Sequence, residues 1–348
     1  MRIIAVEYER FDLELTEPYT IAYETITSAS NFILKAETST GLIGFGCAAP
    51  DPVITGETAE TVESAIKEII IPALVGNNAF HYAQILKEIQ PLIKSSAKTM
   101  VDLCLYDLIS KKADVPLYQY LGGYKREIPT SITIGIMSFD ETMKKAQTFV
   151  NDGFGILKLK GGLNVDEDIE KVHQLRKKHP NITLRFDGNQ GYSLDQALYF
   201  LKQTMRDSIE ILEQPTSVNA EELMGVLSKE SAIPVMADES LKTLKDAFRL
   251  TSKGYTDMIN IKLMKVGGIW EALHINSVAK SAGNEVMVGC LDECSLGIAA
   301  GLHFALSRPN IVYADLDAHL DFIQDPFKDL FTIEKGVMRP NEKPGLGL

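Results

Sequence analysis

The chain has 348 residues, of which 45% are hydrophobic, so it can bury a large core and is long enough for more than one domain. Its formal net charge of −12 disfavours binding to nucleic acid, which needs a basic surface, and to anionic membranes. The first acidic residue, Glu7, comes too early for a signal peptide, and no apolar run approaches the roughly 18 residues of a membrane span. The four cysteines lack the spacing of a zinc site, and we interpret them as reduced thiols of a cytoplasmic protein.

The first third of the chain, residues 1–125, is predicted to form an α+β domain that caps the rest. Strand-like segments come first and helical segments follow, an order typical of this class. The predicted elements are strands at 1–15 and 30–47, loops at 17–25 and 49–56, and helices at 58–71, 78–94 and 97–113. Gly122-Gly123 then marks the end of the helical part.

From residue 126 to residue 320, strands and helices alternate, a pattern that predicts parallel strands covered by helices. Eight short apolar segments are strand candidates, at 131–135, 155–160, 183–187, 209–213, 235–238, 258–262, 286–289 and 311–315. A repeat of about 25–30 residues per strand and helix indicates a (β/α) barrel. The tail, residues 321–348, adds no further unit, so we expect it to return and pack against the cap.

Six charged residues stand at the ends of these strands. They are Lys160, Asp187, Glu213, Asp238, Lys262 and Asp315. The successive steps are 27, 26, 25 and 24 residues, and the final step of 53 residues fits two units. Because the chemistry of such barrels takes place at the C-terminal ends of the strands, we expect these side chains to converge on one pocket.

Strand parity predicts that three lysines point into the barrel. In the segment 156–160, the period of two puts Lys158 and Lys160 on one face and two leucines on the other. The same parity points Lys262 inward between apolar neighbours. The alternative is a solvated edge strand, which is disfavoured because parallel strands are covered on both faces.

Three consecutive strand ends carry an acid, namely Asp187, Glu213 and Asp238. Each of them alone is compatible with an ordinary turn or helix start. Carboxylates that are drawn together repel one another unless a cation neutralises them. An anionic set of oxygen donors favours a hard divalent ion, so we predict Mg²⁺, with Mn²⁺ as a substitute.

The combined pattern resembles the muconate-lactonizing-enzyme subgroup of the enolase superfamily. The motifs that carry the resemblance are Lys158-x-Lys160, Asp187-Gly-Asn189, Glu213-Gln-Pro, Ala-Asp238-Glu239-Ser and Ile261-Lys262, together with a segment at 101–123 similar to the cap-to-barrel helix. The resemblance covers essentially the whole chain. It implies an α/β fold with a (β/α)7β TIM-like barrel, an α+β capping domain formed by the N-terminal region and the C-terminal tail, and one Mg²⁺.

The resemblance also implies roles for individual residues. It assigns the metal ligands to Asp187, Glu213 and Asp238, the acid/base pair to Lys160 and Lys262, and supporting roles to Lys158, Asn189 and Glu239. The mandelate-racemase subgroup would instead carry a catalytic histidine near the seventh strand. The matching segment here, 288–293, contains none.

Such a set of residues suits the removal of a proton next to a carboxylate. Loss of the weakly acidic α-proton builds negative charge, which Mg²⁺ and ammonium groups stabilise as an enediolate. The base must be a neutral lysine, and burial and a neighbouring cation both lower the pKa of a lysine. With one lysine on each face of the intermediate, the stereocentre can be inverted by a 1,1-proton transfer.

The last strand indicates the substrate class. Parity puts Asp315 and Asp317 on one face at the barrel mouth, although a turn rich in acids is the alternative. An Asp-x-Asp here is similar to that of dipeptide epimerases, where it receives the α-ammonium group of the substrate. Two carboxylates suit a cationic amine, so we expect a dipeptide that is epimerised at its second residue.

One departure from that group concerns the first cap loop. The resemblance implies that epimerases selective for Ala-Glu carry an arginine there, which pairs with the glutamate side chain. In this chain, Glu24 occupies the matching position. Because a carboxylate repels an acidic side chain, we predict Ala-X dipeptides with non-acidic X. The other expected substrate contacts are Tyr23, Ile54, Thr133 and Glu293. At the end of the seventh strand, lining of the pocket and solvation are both open for Asp292 and Glu293, and for Asp292 we favour solvation.

Two alternatives remain open. A lyase or cycloisomerase such as o-succinylbenzoate synthase or muconate cycloisomerase uses the same scaffold, but its substrate has no ammonium group for Asp315 and Asp317 to bind. The same reasoning disfavours N-acyl amino acid racemisation. A non-catalytic binding member is disfavoured by the complete set of lysines and acids.

The expected partner is a small dipeptide rather than nucleic acid or membrane, and the chain is compatible with a homo-oligomer.

Overall fold

The chain begins with an antiparallel sheet of three strands in the order β1-β2-β3. In the computed structural model, which describes residues 1–348, these strands are β1 (Ile3–Thr20), β2 (Thr25–Thr38) and β3 (Ile43–Ala48). Strands β1 and β2 pair as far as Thr20 opposite Thr25, so the segment 17–25 continues a hairpin and is not the predicted loop. At the hairpin tip, the N–H of Ile21 donates to the carbonyl oxygen of Glu24 at 3.0 Å.

Helices complete the cap. They are α1 (Ala59–Ala65), α2 (Ile71–Leu74), α3 (Tyr82–Ile89), α4 (Ser95–Lys112) and α5 (Leu117–Tyr120), with a π-helical turn at Ile66–Ile70 between α1 and α2. Thr58 begins α1 because its hydroxyl oxygen accepts the N–H of Thr61 in a capping box. Helix α4 packs tightly on β3: a Cβ added to Gly46 would lie 1.9 Å from the carbonyl oxygen of Met100. Only glycine fits there.

Eight parallel strands in sequential order form the barrel. A short strand, β4 (Ile128–Pro129), precedes them. The barrel strands are β5 (Ile132–Ile134), β6 (Ile156–Lys160), β7 (Thr183–Asp187), β8 (Ile209–Glu213), β9 (Val235–Ala237), β10 (Met258–Lys262), β11 (Glu285–Gly289) and β12 (Ile311–Asp315). A parallel bridge between Thr130 and Ala314 closes the sheet between its two ends. The predicted barrel of eight strands is confirmed.

Helices connect the barrel strands and cover the outside of the barrel. They are α6 (Phe139–Asn151), α7 (Val165–Lys178), α8 (Leu194–Thr204), α9 (Glu222–Glu230), α10 (Leu244–Ser252), α11 (Leu263–Val266), α12 (Ile269–Ala282) and α13 (Ser295–Ala305). Helices α11 and α12 share one connection, so seven connections join the eight strands. None of these or the cap helices combines the length and apolarity that crossing a membrane demands.

The strand register explains why the charged strand ends converge. Across β6, β7 and β8, the residues in register are Lys160, Asp187 and Glu213. Across β10, β11 and β12, they are Lys262, Gly289 and Asp315. Apolar side chains of strands β8 to β11 form a buried cluster of Ile211, Met236, Met258 and Met287. The barrel is therefore a packed core with a charged layer at the strand ends.

The cap is joined to the barrel through a buried carboxylate. Asp102 on α4 is fully buried and accepts the N–H groups of Ile269 at 2.6 Å and Trp270 at 3.1 Å. These are the first residues of α12, whose free N–H groups need acceptors. A side chain of the capping domain thus accepts the first N–H groups of a barrel helix, which fixes the two domains relative to each other.

The C-terminal tail contacts both the cap and the start of the barrel. Its hairpin consists of β13 (Phe331–Glu334) and β14 (Val337–Pro340) and forms a three-stranded sheet with β4. Before the hairpin, the N–H of Ile323 donates to the carbonyl oxygen of Glu14 at 3.0 Å. After it, the N–H of Leu346 donates to Asp107 Oδ1 on α4 at 2.7 Å. The tail therefore holds the cap hairpin and α4 beside the barrel.

Candidate active site

The C-terminal ends of the barrel strands open into a cavity that the cap covers. Its volume is about 910 Å³, and the β1–β2 hairpin tip and the loop after β3 contribute to its lining. The predicted site residues that line it are Tyr23, Glu24, Ile54, Thr133, Lys158, Lys160, Asn189, Asp238, Lys262, Asp315 and Asp317. Asp187, Glu213 and Glu239 are buried beside them.

Asp187, Glu213 and Asp238 form a buried cluster of carboxylates at three neighbouring strand ends. One oxygen atom of each residue lies within 4.8 Å of the others. A compact set of hard, anionic oxygen donors fits Mg²⁺. These three residues would therefore hold the ion.

The ammonium group of Lys158 lies among carboxylates. Its Nζ is 2.7 Å from Glu213 Oε2, 2.8 Å from Asp315 Oδ2 and 3.1 Å from Asp187 Oδ2. Burial lowers the pKa of Lys158, but the charges of these three acids outweigh burial and raise that pKa well above its ordinary value. Lys158 is therefore a fixed positive charge beside the carboxylate cluster.

Lys160 and Lys262 lie on opposite sides of the barrel, because they end strands β6 and β10, four apart in a sheet of eight. Lys160 Nζ is 2.8 Å from Asp187 Oδ2, and Lys262 Nζ is 2.8 Å from Asp238 Oδ2. Burial lowers the pKa of Lys262, but Asp238 and Glu213 outweigh burial and raise it well above its ordinary value. A divalent ion on the same carboxylates would weaken this attraction, which leaves burial to favour the neutral amine that a base requires.

The two acids at the end of the last strand have different surroundings. Asp315 accepts hydrogen bonds from Lys158 Nζ at 2.8 Å and from the Ser131 hydroxyl at 2.6 Å. Burial raises the pKa of Asp315, but Lys158 outweighs burial and lowers it to about 2. Asp317 accepts only the N–H of Thr133, at 2.6 Å, and burial together with the charge of Asp315 raises its pKa to about 7. Asp317 is thus the carboxylate that lacks a cation.

Asn189 connects Glu239 to the carboxylate cluster. The N–H of Asn189 donates to Asp187 Oδ1 at 3.0 Å, and its Nδ2 donates to Glu239 Oε1 at 3.3 Å. Asn189 has a φ of 40°, in the left-handed region that asparagine tolerates. Glu239 Oε2 is buried without a hydrogen-bond partner, and burial together with the charge of Asp238 raises the pKa of Glu239 to about 7.

The turn after β11 orients two acids differently from the sequence interpretation. Glu293 is 2% exposed and lies outside the cavity lining, where its Oε1 accepts the N–H of Leu291 at 2.9 Å. Asp292 lines the cavity and accepts a hydrogen bond from the Tyr19 hydroxyl at 2.7 Å. The interpretation of Asp292 as solvated is wrong, because β11 ends at Gly289 and side chains no longer alternate beyond it.

Two further residues, which the sequence patterns missed, hold the acids of the site. Lys265 is fully buried, and its Nζ lies 2.5 Å from Asp238 Oδ1 and 3.2 Å from the carbonyl oxygen of Asn260. Ser131 fixes Asp315 through its hydroxyl. Lys265 lies on the short helix α11 that follows Lys262, and no sequence pattern marks either Lys265 or Ser131 as a site residue.

Enzymes of known activity are similar to this chain over its full length. It is 39% identical to the L-Lys-D/L-Arg epimerase of Desulforapulum autotrophicum, over 100% of this chain and 99% of that protein. It is 38% identical to the L-Ala-D/L-Glu epimerase of Bacillus subtilis, over 100% of this chain and 97% of that protein.

Solved structures are similar in fold. A dipeptide epimerase from Enterococcus faecalis, complexed with Mg and L-Leu-L-Tyr, superimposes with a TM-score of 0.96 at 37% identity, over 100% of this chain and 99% of that one. A dipeptide epimerase from Methylococcus capsulatus, complexed with Mg and L-Arg-D-Lys, gives a TM-score of 0.96 at 34% identity, with the same coverage of 100% and 99%.

Both halves of the chain match family models. Residues 5–122 match the N-terminal domain of mandelate racemase / muconate lactonizing enzyme, and residues 141–348 match the enolase C-terminal domain-like model. The barrel with its cap and the carboxylate cluster agree with these matches. The chain therefore belongs to the mandelate racemase / muconate lactonizing enzyme family.

Proposed function

We propose that this protein is a Mg²⁺-dependent dipeptide epimerase, an isomerase that inverts the α-carbon of the second residue by 1,1-proton transfer. The proposal is carried by Lys160 and Lys262, which end opposite strands beside the carboxylate cluster. A planar intermediate between them has one amine on each face, so a proton taken from one face can be replaced on the other. The epimerase names of the relatives support the proposal.

The substrate carboxylate is expected beside Asp187, Glu213 and Asp238, the residues that would hold Mg²⁺. When bound, the ion supplies a Lewis acid that withdraws charge from that carboxylate. Lys158 adds a fixed ammonium charge within 3.1 Å of the cluster, which stabilises the negative charge that develops as the α-proton leaves. One lysine removes the proton, and the lysine on the opposite face donates its own.

Asp317 supports a substrate with a free amine. Its carboxylate lines the cavity, and the one hydrogen bond that it accepts comes from the backbone of Thr133. A dipeptide held by its carboxylate at the cluster can extend its α-ammonium group to Asp317, where a charge-assisted hydrogen bond forms. Tyr23 and Ile54 line the cavity from the cap and are the proposed contacts of the second side chain.

The same lysines and metal ligands would serve a lyase or cycloisomerase. The substrates of o-succinylbenzoate synthase and muconate cycloisomerase carry no ammonium group, however, and would leave Asp317 without a cation in the cavity. A non-catalytic member would not need two lysines on opposite faces. The relatives are named for Lys-Arg and Ala-Glu dipeptides, so their names alone leave the side chain of X open.

Deuterium exchange tests the proposal directly. The protein is incubated with Mg²⁺ in D₂O together with L-Ala-X and D-Ala-X dipeptides, and the deuterium content of each dipeptide is followed by mass spectrometry. Uptake of one deuterium at the α-carbon of X, with appearance of the other epimer, is expected. An absence of uptake from every dipeptide would overturn the proposal and favour a lyase or cycloisomerase substrate.

The cysteines, the carboxylate ligands and the net charge bear on the location, the metal and the partners of the enzyme. Four free cysteines, three of them buried, suit a reducing cytoplasm. Mn²⁺ is expected to replace Mg²⁺, since carboxylate oxygens suit both ions. The net charge of −12 argues against nucleic acid and anionic membranes as partners, and a homo-oligomer is compatible with the fold.

A further inference from the structure

An arginine lies inside the barrel, one layer of side chains below the proposed site. Arg185 on β7 points inward because it precedes Asp187 by two residues, and it is only 4% exposed. It pairs in register with Ile211, and Met287 of the same buried apolar cluster has its sulfur 3.8 Å from Arg185 Nη1. Burial of a guanidinium group among apolar side chains costs free energy unless its N–H groups find partners. The proposed proton transfer does not use this buried charge.

Two contacts hold Arg185 from the N-terminal side of the strands. Its Nε donates to Glu210 Oε2 at 2.7 Å, and its guanidinium carbon lies 5.3 Å from the centre of the Tyr313 ring. Glu210 is the second residue of β8, and its side chain is 33% exposed, so this ion pair forms at the end of the barrel remote from the carboxylate cluster. Nη1 is thereby available to groups nearer the site.

The hydroxyl of Ser131 has one hydrogen and two acceptors within reach. Asp315 Oδ1 lies 2.6 Å away, and the carbonyl oxygen of Ala314 lies 3.4 Å away. Both lone pairs of that carbonyl oxygen are already used, by the N–H of Ser131 at 3.2 Å and by Arg185 Nη1 at 2.9 Å. Nη1 also donates to the Ser131 oxygen at 3.2 Å. Because Arg185 occupies the competing acceptor, the hydroxyl hydrogen is directed to Asp315.

Asp315 connects Ser131 to Lys158. Its Oδ1 accepts the Ser131 hydroxyl, and its Oδ2 accepts Lys158 Nζ at 2.8 Å. A carboxylate with a donor on each oxygen cannot rotate without breaking a hydrogen bond, so Ser131 fixes the oxygen that faces Lys158. A continuous chain of contacts thus leads from Arg185 to the ammonium group beside the carboxylate cluster.

We propose that Arg185 is a positioning residue for the proton transfer and acts on Lys158 through the two side chains between them. The inference rests on the proposed function and adds to it a residue that forms no hydrogen bond or ion pair with the carboxylate cluster. Without its N–H groups, the Ala314 carbonyl oxygen accepts the Ser131 hydroxyl, and Asp315 loses the donor that fixes it. Lys158 is then held less closely beside the charge that develops on the substrate, which slows the chemical step more than it weakens binding.

Ser131→Ala tests the chain of contacts with the smallest change. For the Ala-X dipeptide that takes up deuterium fastest, we expect kcat to fall about tenfold, because a hydrogen bond to a charged group is lost. KM should change less than about twofold, since Asp317 and the carboxylate cluster are unaltered. Ser228→Ala is the matched control, because the Ser228 hydroxyl donates to Asp257 Oδ1 at the same 2.6 Å, outside the cavity lining. An unaltered kcat in Ser131→Ala, or an equal fall in both variants, would overturn the inference.

Arg185→Met tests the first residue of the chain of contacts. Methionine has a similar length and suits the apolar layer, but it has no N–H group in its side chain. We expect kcat to fall about tenfold again with little change in KM, and the double variant with Ser131→Ala to match Arg185→Met, because both changes break one chain. Multiplied effects of the two substitutions, or a rise in KM with kcat unaltered, would overturn the inference. If Arg185→Met does not fold, Arg185→Lys replaces it, since it keeps the charge beside Glu210 and lacks Nη1.

A crystal structure of the Arg185 variant gives a readout that does not depend on activity. We expect Ser131 Oγ to leave Asp315 Oδ1 for the Ala314 carbonyl oxygen, and Lys158 Nζ to move away from Asp315. Distances that stay at 2.6 Å and 2.8 Å would overturn the inference while the epimerase remains. If no dipeptide takes up deuterium in the unaltered enzyme, the proposed function fails, and the role of Arg185 in proton transfer fails with it, whatever the structure of the variant.

Discussion

Nζ of Lys158 lies 2.8 Å from Oδ2 of Asp315, whereas Asp317, two residues further along, contacts no lysine. The Asp-x-Asp pattern predicts that both acids share one ammonium group of the substrate. Their surroundings favour separate roles. Asp315 holds Lys158 beside the carboxylate cluster, whereas the carboxylate of Asp317 remains available to an ammonium group of the proposed substrate. The two acids should therefore respond differently to the same substitution.

Asp317→Asn is expected to weaken binding of the dipeptide. A charge-assisted hydrogen bond contributes about 2 kcal/mol, so KM should rise by roughly thirtyfold, with a smaller effect on kcat. Steady-state epimerisation followed by polarimetry or by chiral separation gives both constants. A variant that keeps the KM of the unaltered enzyme would exclude Asp317 as the ammonium site.

Asp315→Asn provides the comparison. The substitution removes a charge that holds Lys158, whose Nζ also contacts Asp187 and Glu213 of the carboxylate cluster. We therefore expect Asp315→Asn to lower kcat and to raise KM less than Asp317→Asn does. The same kinetic measurements distinguish the two, and identical effects on KM would support a shared cradle.

The lysines on opposite faces should each serve one epimer. Lys262→Ala is expected to reduce interconversion about a thousandfold or more, because the proton can no longer be replaced on one face. Lys160 can still exchange the α-proton of a single stereoisomer with D₂O, and Lys160→Ala should exchange the opposite one. Proton NMR of each pure epimer in D₂O measures this. Lys202→Ala, on the exposed side of α8, is the control.

Much of the barrel and the charged strand ends can be predicted because local rules determine them. The period of 24–27 residues between Lys160 and Lys262 follows from one strand and one helix per unit. Strand parity then determines which side chains point inward, as in β6, where Lys158 and Lys160 reach the same oxygen of Asp187. Position along the chain and position in the barrel are related by geometry alone.

Contacts between distant segments are the part that the sequence does not reveal. Asp292 is oriented by the hydroxyl of Tyr19, 273 residues away, and no local pattern records that contact. The strand-like form of segment 17–25 likewise depends on the barrel, because the Ile136 N–H donates to the Thr20 carbonyl oxygen at 2.7 Å. The conformation of turns and hairpin tips therefore cannot be predicted from local sequence patterns, which do predict regular strands.

Binding of Mg²⁺ should stabilise the fold. Asp187, Glu213 and Asp238 are buried, and an ion that binds only the folded state adds about 2.7 kcal/mol when its free concentration is a hundred times Kd. We expect the unfolding temperature to rise on addition of Mg²⁺ or Mn²⁺ and to return after EDTA. Differential scanning fluorimetry measures the shift. Asp238→Asn should reduce it, whereas Asp140→Asn, an exposed residue on α6, should not.

His303 on α13 should make the fold sensitive to acid. It is fully buried, its Nδ1 accepts the N–H of Tyr118 at 3.1 Å, and burial lowers its pKa from 6.5 to about 3. Between those two values the unfolded chain binds a proton at this histidine that the folded chain does not, so stability falls as the pH is lowered from 6.5 towards 3.

The expected loss from His303 is about 1.4 kcal/mol for each pH unit in that window. His303→Gln keeps an acceptor for the Tyr118 N–H and cannot be protonated. Urea unfolding at pH 7, 6 and 5 should therefore show a steeper loss of free energy of unfolding in the unaltered protein than in this variant. His81→Gln, at an exposed position of the cap, is the control. Parallel pH dependence of the unaltered protein and His303→Gln would mean that His303 takes up its proton in the folded state as readily as in the unfolded chain.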